Sequence, residues 1–207
     1  MRIGISVCSA YPNGDPKTSV RHMIERVRAA RGADLDSLFV GDHHVTSRPY
    51  FQNSPVLGRL LAEWNNKPAG ALYLLPLWNP VLLAEQIGTL ASIMQGRFIL
   101  QCSIGGEKRQ SEGMGVEFSK RVGMFEESLR LIKALLVGEQ VSSRDYWAIN
   151  DAKISPVPDL EVEIWIGSQA NVAINRAARL ADGWLATPSI EIEEAAKQLN
   201  VYKQSCA

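Results

Sequence analysis

The chain has 207 residues, 46% of them hydrophobic and 21% charged, which is enough apolar sequence for one buried core across 1–207 and shows no disordered or fibrous bias. Lysine plus arginine equals aspartate plus glutamate at 22 each, so no net field draws in nucleic acid or an anionic membrane. Three scattered cysteines form neither a zinc knuckle nor a disulfide framework, and no apolar run approaches the ~18 residues of a membrane span, so a reduced, cytoplasmic protein is expected.

Arg2 to Cys8 reads as a first strand, followed by the turn-rich SAYPNGDPKTS. Val20, Ile24 and Val27 then mark a helix, with Thr18 or Ser19 as its cap and Gly32 past its end. Ser37 to Val40 is a second strand that stops at Gly41 and presents Asp42, His43 and His44 at its carboxyl end. A helix is expected around Leu57 to Trp64. Ala69 to Leu75, an apolar run between Pro68 and Pro76, suits a strand buried on both faces. After Asn79 and Pro80, the spacing of Leu83, Ile87 and Met94 predicts a helix with one apolar face. Gly96 ends it, and Arg97 to Cys102 resumes a buried strand that runs into Ser103, Ile104, Gly105 and Gly106.

Glu107 to Lys120 reads as a polar loop, long enough for a lid over a substrate. Val122, Phe125, Leu129, Ile132 and Leu136 form the clearest amphipathic pattern, closing at Gly138, and the Lys and Arg of that helix read as a solvated face. Val141 to Ile154 suggests a hairpin turning at Asn150 and Asp151. A fifth strand at Val162 to Ile166, a helix at Asn171 to Ala181, a sixth strand at Gly183 to Ala186 and a last helix through Ile192, Ala195, Leu199 and Tyr202 complete the pattern. The fold class is therefore α/β, with six strand-helix units in a parallel sheet whose two edges need covering. No G-x-G-x-x-G follows the first strand, which argues against a dinucleotide-binding Rossmann domain.

Asp42, His43 and His44 are the one cluster of titratable groups at a predicted strand end, and histidine is the side chain that titrates nearest neutral pH. Two plainer accounts stand beside a catalytic one: an aspartate that caps the next turn while a histidine packs in the wall, or part of a metal set. The only other histidine is His22, on the first helix. Gly70 allows close strand packing. Gly167, Ser168 and Gln169 precede a helix N-terminus, which favours phosphate but equally suits an ordinary cap. The five tryptophans read as core or interface.

The stretches DSLFVGDHH (36–44), PLWNPVLLAEQIGTLASIMQGRFIL (76–100), RVGMFEESLRLIKALLVGE (121–139) and IWIGSQANVAINRAARLADGWLATP (164–188) resemble the luciferase-like monooxygenase family of flavin- or deazaflavin-dependent oxidoreductases. The resemblance implies a TIM (β/α)8-type barrel, incomplete with about six of its eight units, and hydride or two-electron transfer to or from a small organic substrate through FMN or a deazaflavin (coenzyme F-420), in a homodimer. It places Asp42 and His43 at the cofactor ring as the catalytic pair, and a non-proline cis peptide between Gly70 and Ala71 against the ring face. It puts Ser103, Ile104 and Gly105 beside the cofactor, in a turn where relatives have Gly-x-Gly-x-Gly, and gives Gly167, Ser168 and Gln169 the phosphate-bearing tail. Two other readings remain: a degenerate, non-catalytic barrel serving as a partner subunit or fragment, and a metal-dependent hydrolase.

Overall fold

The short apolar runs become parallel strands, and the stretches with three-four spacing between them become the helices that cover the sheet. The computed structural model describes residues 2–188 and 190–206. In chain order the elements are β1 (Gly4–Val7), α1 (Pro16–Gly32), β2 (Ser37–Val40), α2 (Asn53–Leu61), β3 (Ala69–Leu74), α3 (Pro80–Ile93) and β4 (Phe98–Ser103). There follow α4 (Lys108–Gly113), α5 (Arg121–Leu136), β5 (Val141–Ser143), β6 (Ile149–Ala152), β7 (Glu163–Gly167), α6 (Asn171–Leu180), β8 (Gly183–Leu185) and α7 (Ile192–Cys206).

Six strands form one sheet in the order β1-β2-β3-β4-β7-β8, and every neighbouring pair is parallel. The sheet curls into a half-barrel. β5 and β6 form a separate antiparallel ladder in the connection between β4 and β7. The core lies between the sheet and its outer helices: Met23 and Val27 of α1, Leu57 and Leu60 of α2, Leu83 and Ile87 of α3, and Leu131 and Ile132 of α5 pack against Leu38, Ala71, Tyr73 and Leu100. β3 and β4 sit at the centre with few exposed atoms, which explains their unbroken apolar sequence.

Several boundaries differ from the sequence reading for local reasons. α1 is capped by Asp15, whose carboxylate accepts from Thr18 N at 2.8 Å, because Pro16 can open a helix where no N–H is needed. The segment Glu107 to Lys120 is not a plain loop. It contains α4 and a 3-10 turn at Phe118–Lys120, hidden in the sequence because KRQSEG has no apolar period. The hairpin turns at 144–148, so Asn150 and Asp151 lie inside β6. The expected cis bond between Gly70 and Ala71 is absent: among the described residues the one cis peptide bond precedes Pro156. Gly70 and Ala71 pair with Ile99 and Leu100 in continuous register, so β3 needs no bulge there. Gly70 instead permits close approach, since a Cβ on it would stand 1.8 Å from the Ile99 carbonyl oxygen.

Candidate active site

The carboxyl ends of the strands gather the candidate residues in two groups. The first is the turn after β2. Asp42 is buried there, and its Oδ2 accepts from the backbone N–H of Leu74 and from the indole N–H of Trp78, each at 2.9 Å. Its other oxygen lies 3.0 Å from His44 Nε2, and neither of these two atoms makes a well-formed hydrogen bond. Residues two apart face the same way, which joins Asp42 to His44 and sends His43 elsewhere. Asp42 and His43, both set at the cofactor ring by the resemblance, thus make different contacts here. His43 is half-buried with its ring 5.6 Å from that of Tyr50, and its carbonyl accepts from Gln52 Nε2 at 3.3 Å. Burial, with the Asp42 charge second, pushes the Tyr50 hydroxyl up to about 12, so Tyr50 beside His43 stays protonated at neutral pH.

The second group surrounds a cavity of about 420 Å³ at the ends of β4, β7 and β8. Ser103, Ile104, Gly105, Gly167, Ser168 and Gln169 all line it, whereas Asp42, His43, Gly70 and Ala71 do not. Gly105 adopts φ +71°, a left-handed conformation that costs glycine nothing and turns the chain away from β4. Cys102, just before it, is fully buried, and burial holds its thiol far above the ordinary range, so it packs as an apolar group.

Two arginines complete this cavity, Arg121 at the start of α5 and Arg176 in α6. Arg121, one residue ahead of the helix pattern that begins at Val122, was not among the candidates read from sequence. It lies over the Phe118 ring at 3.8 Å and donates to the Phe118 carbonyl at 2.8 Å, while its Nε is buried without a partner. Arg176 is held by Glu126 at 2.6 Å. The readable signal was position: an arginine opening a helix that follows a strand-end loop faces the active side of a parallel sheet. The Ser168 Oγ is also buried and unpartnered, and the first turn of α6 carries no side-chain cap. The Ser168 hydroxyl and the two guanidinium groups, at the entrance to α6, form a cradle that suits an anion such as a phosphate group.

A trough of about 550 Å³ along the inner face of the sheet adjoins this cavity, the two sharing Leu72, Leu185, Ala186 and Pro188. Gly41, next to the Asp42 turn, lies on its rim, and Phe39, Gln101 and Trp165 form its walls. The trough thus runs from the anion cradle toward the residues after β2. Among the described residues, no three His, Cys, Asp or Glu side chains are placed to hold a metal ion.

The fold is a parallel half-barrel whose candidate residues gather at the carboxyl ends of its strands. The chain belongs to the luciferase-like monooxygenase family, whose sequence model matches residues 1–207. It is 30% identical over 169 residues to an F420-dependent glucose-6-phosphate dehydrogenase of Nakamurella multipartita, covering 77% of this chain and 50% of that protein. In structure it resembles the monooxygenase RslO1 from Streptomyces bottropensis (TM-score 0.87, 16% identity), covering 100% of this chain and 66% of that one. It also resembles the oxygenating constituent of 3,6-diketocamphane monooxygenase from Pseudomonas putida in complex with FMN (TM-score 0.81, 19% identity), covering 100% of this chain and 62% of that one. The chain spans about half the length of the F420-dependent relatives it matches.

Proposed function

We propose that this chain carries the cofactor-holding part of an oxidoreductase that moves a hydride or two electrons through FMN or a deazaflavin, to or from a small organic substrate. The observation that carries the reading is the cradle at α6: unpartnered Ser168 Oγ and Arg121 Nε beside an uncapped helix N-terminus. Gly167, Ser168, Gln169, Arg121 and Arg176 would hold the phosphate-bearing end of such a cofactor, and Ser103, Ile104 and Gly105 would wall its stem. The trough beside Leu72 gives an apolar bed for a flat ring, with His43 and its neutral neighbour Tyr50 placed past its end to donate or accept a proton. The cofactor supplies the electron-pair chemistry when bound, and the protein positions it and keeps water away.

The same reading makes the protein a cytoplasmic homodimer; it fits a chain in which, among the described residues, no helix is long and apolar enough to cross a membrane. The outer side of α3, where Leu82 and Ile93 are half exposed and Glu85 is the sole charged residue of the helix, supports association. Fluorescence titration of the 207-residue chain with FMN, riboflavin and the deazaflavin tests the proposal. Saturable micromolar binding of FMN or the deazaflavin, lost on removing the phosphate and weakened in His43→Ala, is the expected result. A folded chain that binds none of the three overturns it in favour of a non-catalytic partner subunit, the reading that the glycine-poor turn Gln101 to Gly105 would then explain.

A further inference from the structure

We propose that Gln110 is a positioning residue for His43, acting through a latch that α4 closes on the strained turn after β2. This rests on the reading of His43 as a cofactor-facing group. Gln110 is only 5% exposed, although it belongs to a polar helix on the protein surface, and its Oε1 accepts the backbone N–H of His44 at 2.9 Å. The next residue, Val45, adopts φ +52°, a left-handed conformation that is strained for a β-branched side chain and needs outside support.

That support comes from the same helix. A Cβ placed on Gly113 would lie 2.7 and 2.8 Å from the two Val45 methyl carbons, so α4 fits against the turn only because position 113 has no side chain. Valine has little χ1 freedom with which to yield. The turn is thus gripped on both sides: Asp42 is tied inward to Leu74 and Trp78, and His44 and Val45 are tied outward to Gln110 and Gly113. His43 lies between the two attachments, and the orientation of its ring follows from them.

The latch also has a second attachment. α4 sits in the segment between Gly106 and Arg121, both of which line the anion cradle. One short stretch therefore forms the cradle wall at its ends and holds the His43 turn at its middle, which sets the spacing between phosphate end and histidine end of the site.

The chain has three histidines, so histidine-selective isotope labelling gives three resolvable imidazole sets, with His22 on α1 as an internal control. The expected result is that Gln110→Leu displaces the His43 ring signals and weakens the cross-relaxation between His43 and Tyr50 while leaving His22 unmoved. FMN binding then weakens about three- to ten-fold, the effect of one neutral hydrogen bond. Gln110→Glu, which retains an acceptor, returns the His43 signals toward their original positions. Gly113→Ala, at an exposed helical position, moves the same signals by pushing Val45, and carries the test if Gln110→Leu does not fold. His43 signals unchanged in the folded Gln110→Leu and Gly113→Ala variants would overturn the latch, as would failure of Gln110→Glu to restore them. A parent chain that binds neither FMN nor the deazaflavin sinks the oxidoreductase reading and the positioning role with it, whereas binding with unmoved His43 signals sinks the latch alone.

Discussion

Trp78 and Leu74 donate to one and the same oxygen of Asp42, each at 2.9 Å, so a single buried carboxylate ties the end of β2 to the turn after β3. Removing it strands two donors where water is scarce. Asp42→Ala is expected to cost about 2–3 kcal/mol in urea unfolding, and Trp78→Phe about 1–2 kcal/mol because Leu74 keeps its bond. An Asp42→Ala variant of unchanged stability would show that the carboxylate is no strut.

Gly70→Ala sets a methyl group against backbone, at 1.8 Å from the Ile99 carbonyl oxygen, where no side-chain rotation relieves it. The β3–β4 pairing must spread, at a cost of about 3 kcal/mol or more. Gly32→Ala, which meets nothing within 4 Å, is the matched control and should unfold within about 0.5 kcal/mol of the parent.

Arg121 lines the cavity, so the contribution of its guanidinium charge should appear only with a phosphate-bearing ligand. Arg121→Gln is expected to weaken FMN about ten- to hundred-fold, the worth of a hydrogen bond between charged groups, and to leave riboflavin binding as it was. Equal losses for both ligands would place the effect in the fold instead of the phosphate.

The bidentate hydrogen bonds from Arg28, with a further one from Arg59, hold the Glu63 carboxyl down at about 2 against an ordinary value of 4.5. A depressed folded-state value means that the stabilisation is complete above the unfolded value and fades as the pH falls through 4.5 toward 2. Thermal midpoints measured across that window should therefore drop more steeply for the parent than for Glu63→Gln, and the two curves should run parallel above it. Because the pair is solvent-facing, added salt should shrink the difference.

The sheet was legible where local chemistry left one choice. Pro68 and Pro76 bracket β3, Pro80 opens α3, and Gly138 at φ +81° closes α5, each as its sequence implied. Ser103 to Gly105 and Gly167 to Gln169, singled out in two separate stretches, line one cavity. What sequence could not supply was pairing across distance. Nothing adjacent to Asp42 names Leu74 or Trp78 as its partners, and nothing in KRQSEG tells that Gln110 will be buried against His44, 66 residues away. Asp42, His43 and His44 were read as one cluster because they are consecutive; alternation of faces along an extended chain splits them, and that part was open to inference.

The ladder of β5 and β6 has a consequence for how such a sheet can change over time. Ile99 must find Glu163 across it, a little more than twice as far along the chain as Ala69 is from Phe98. Closing a loop of doubled length costs only about 0.6 kcal/mol. Glu127 moreover fastens the ladder to α5 through Ser143 and Tyr146 N, independently of the sheet. New sequence accepted between β4 and β7 is therefore a cheap thermodynamic experiment for evolution, one in which the parallel register on either side need not be renegotiated.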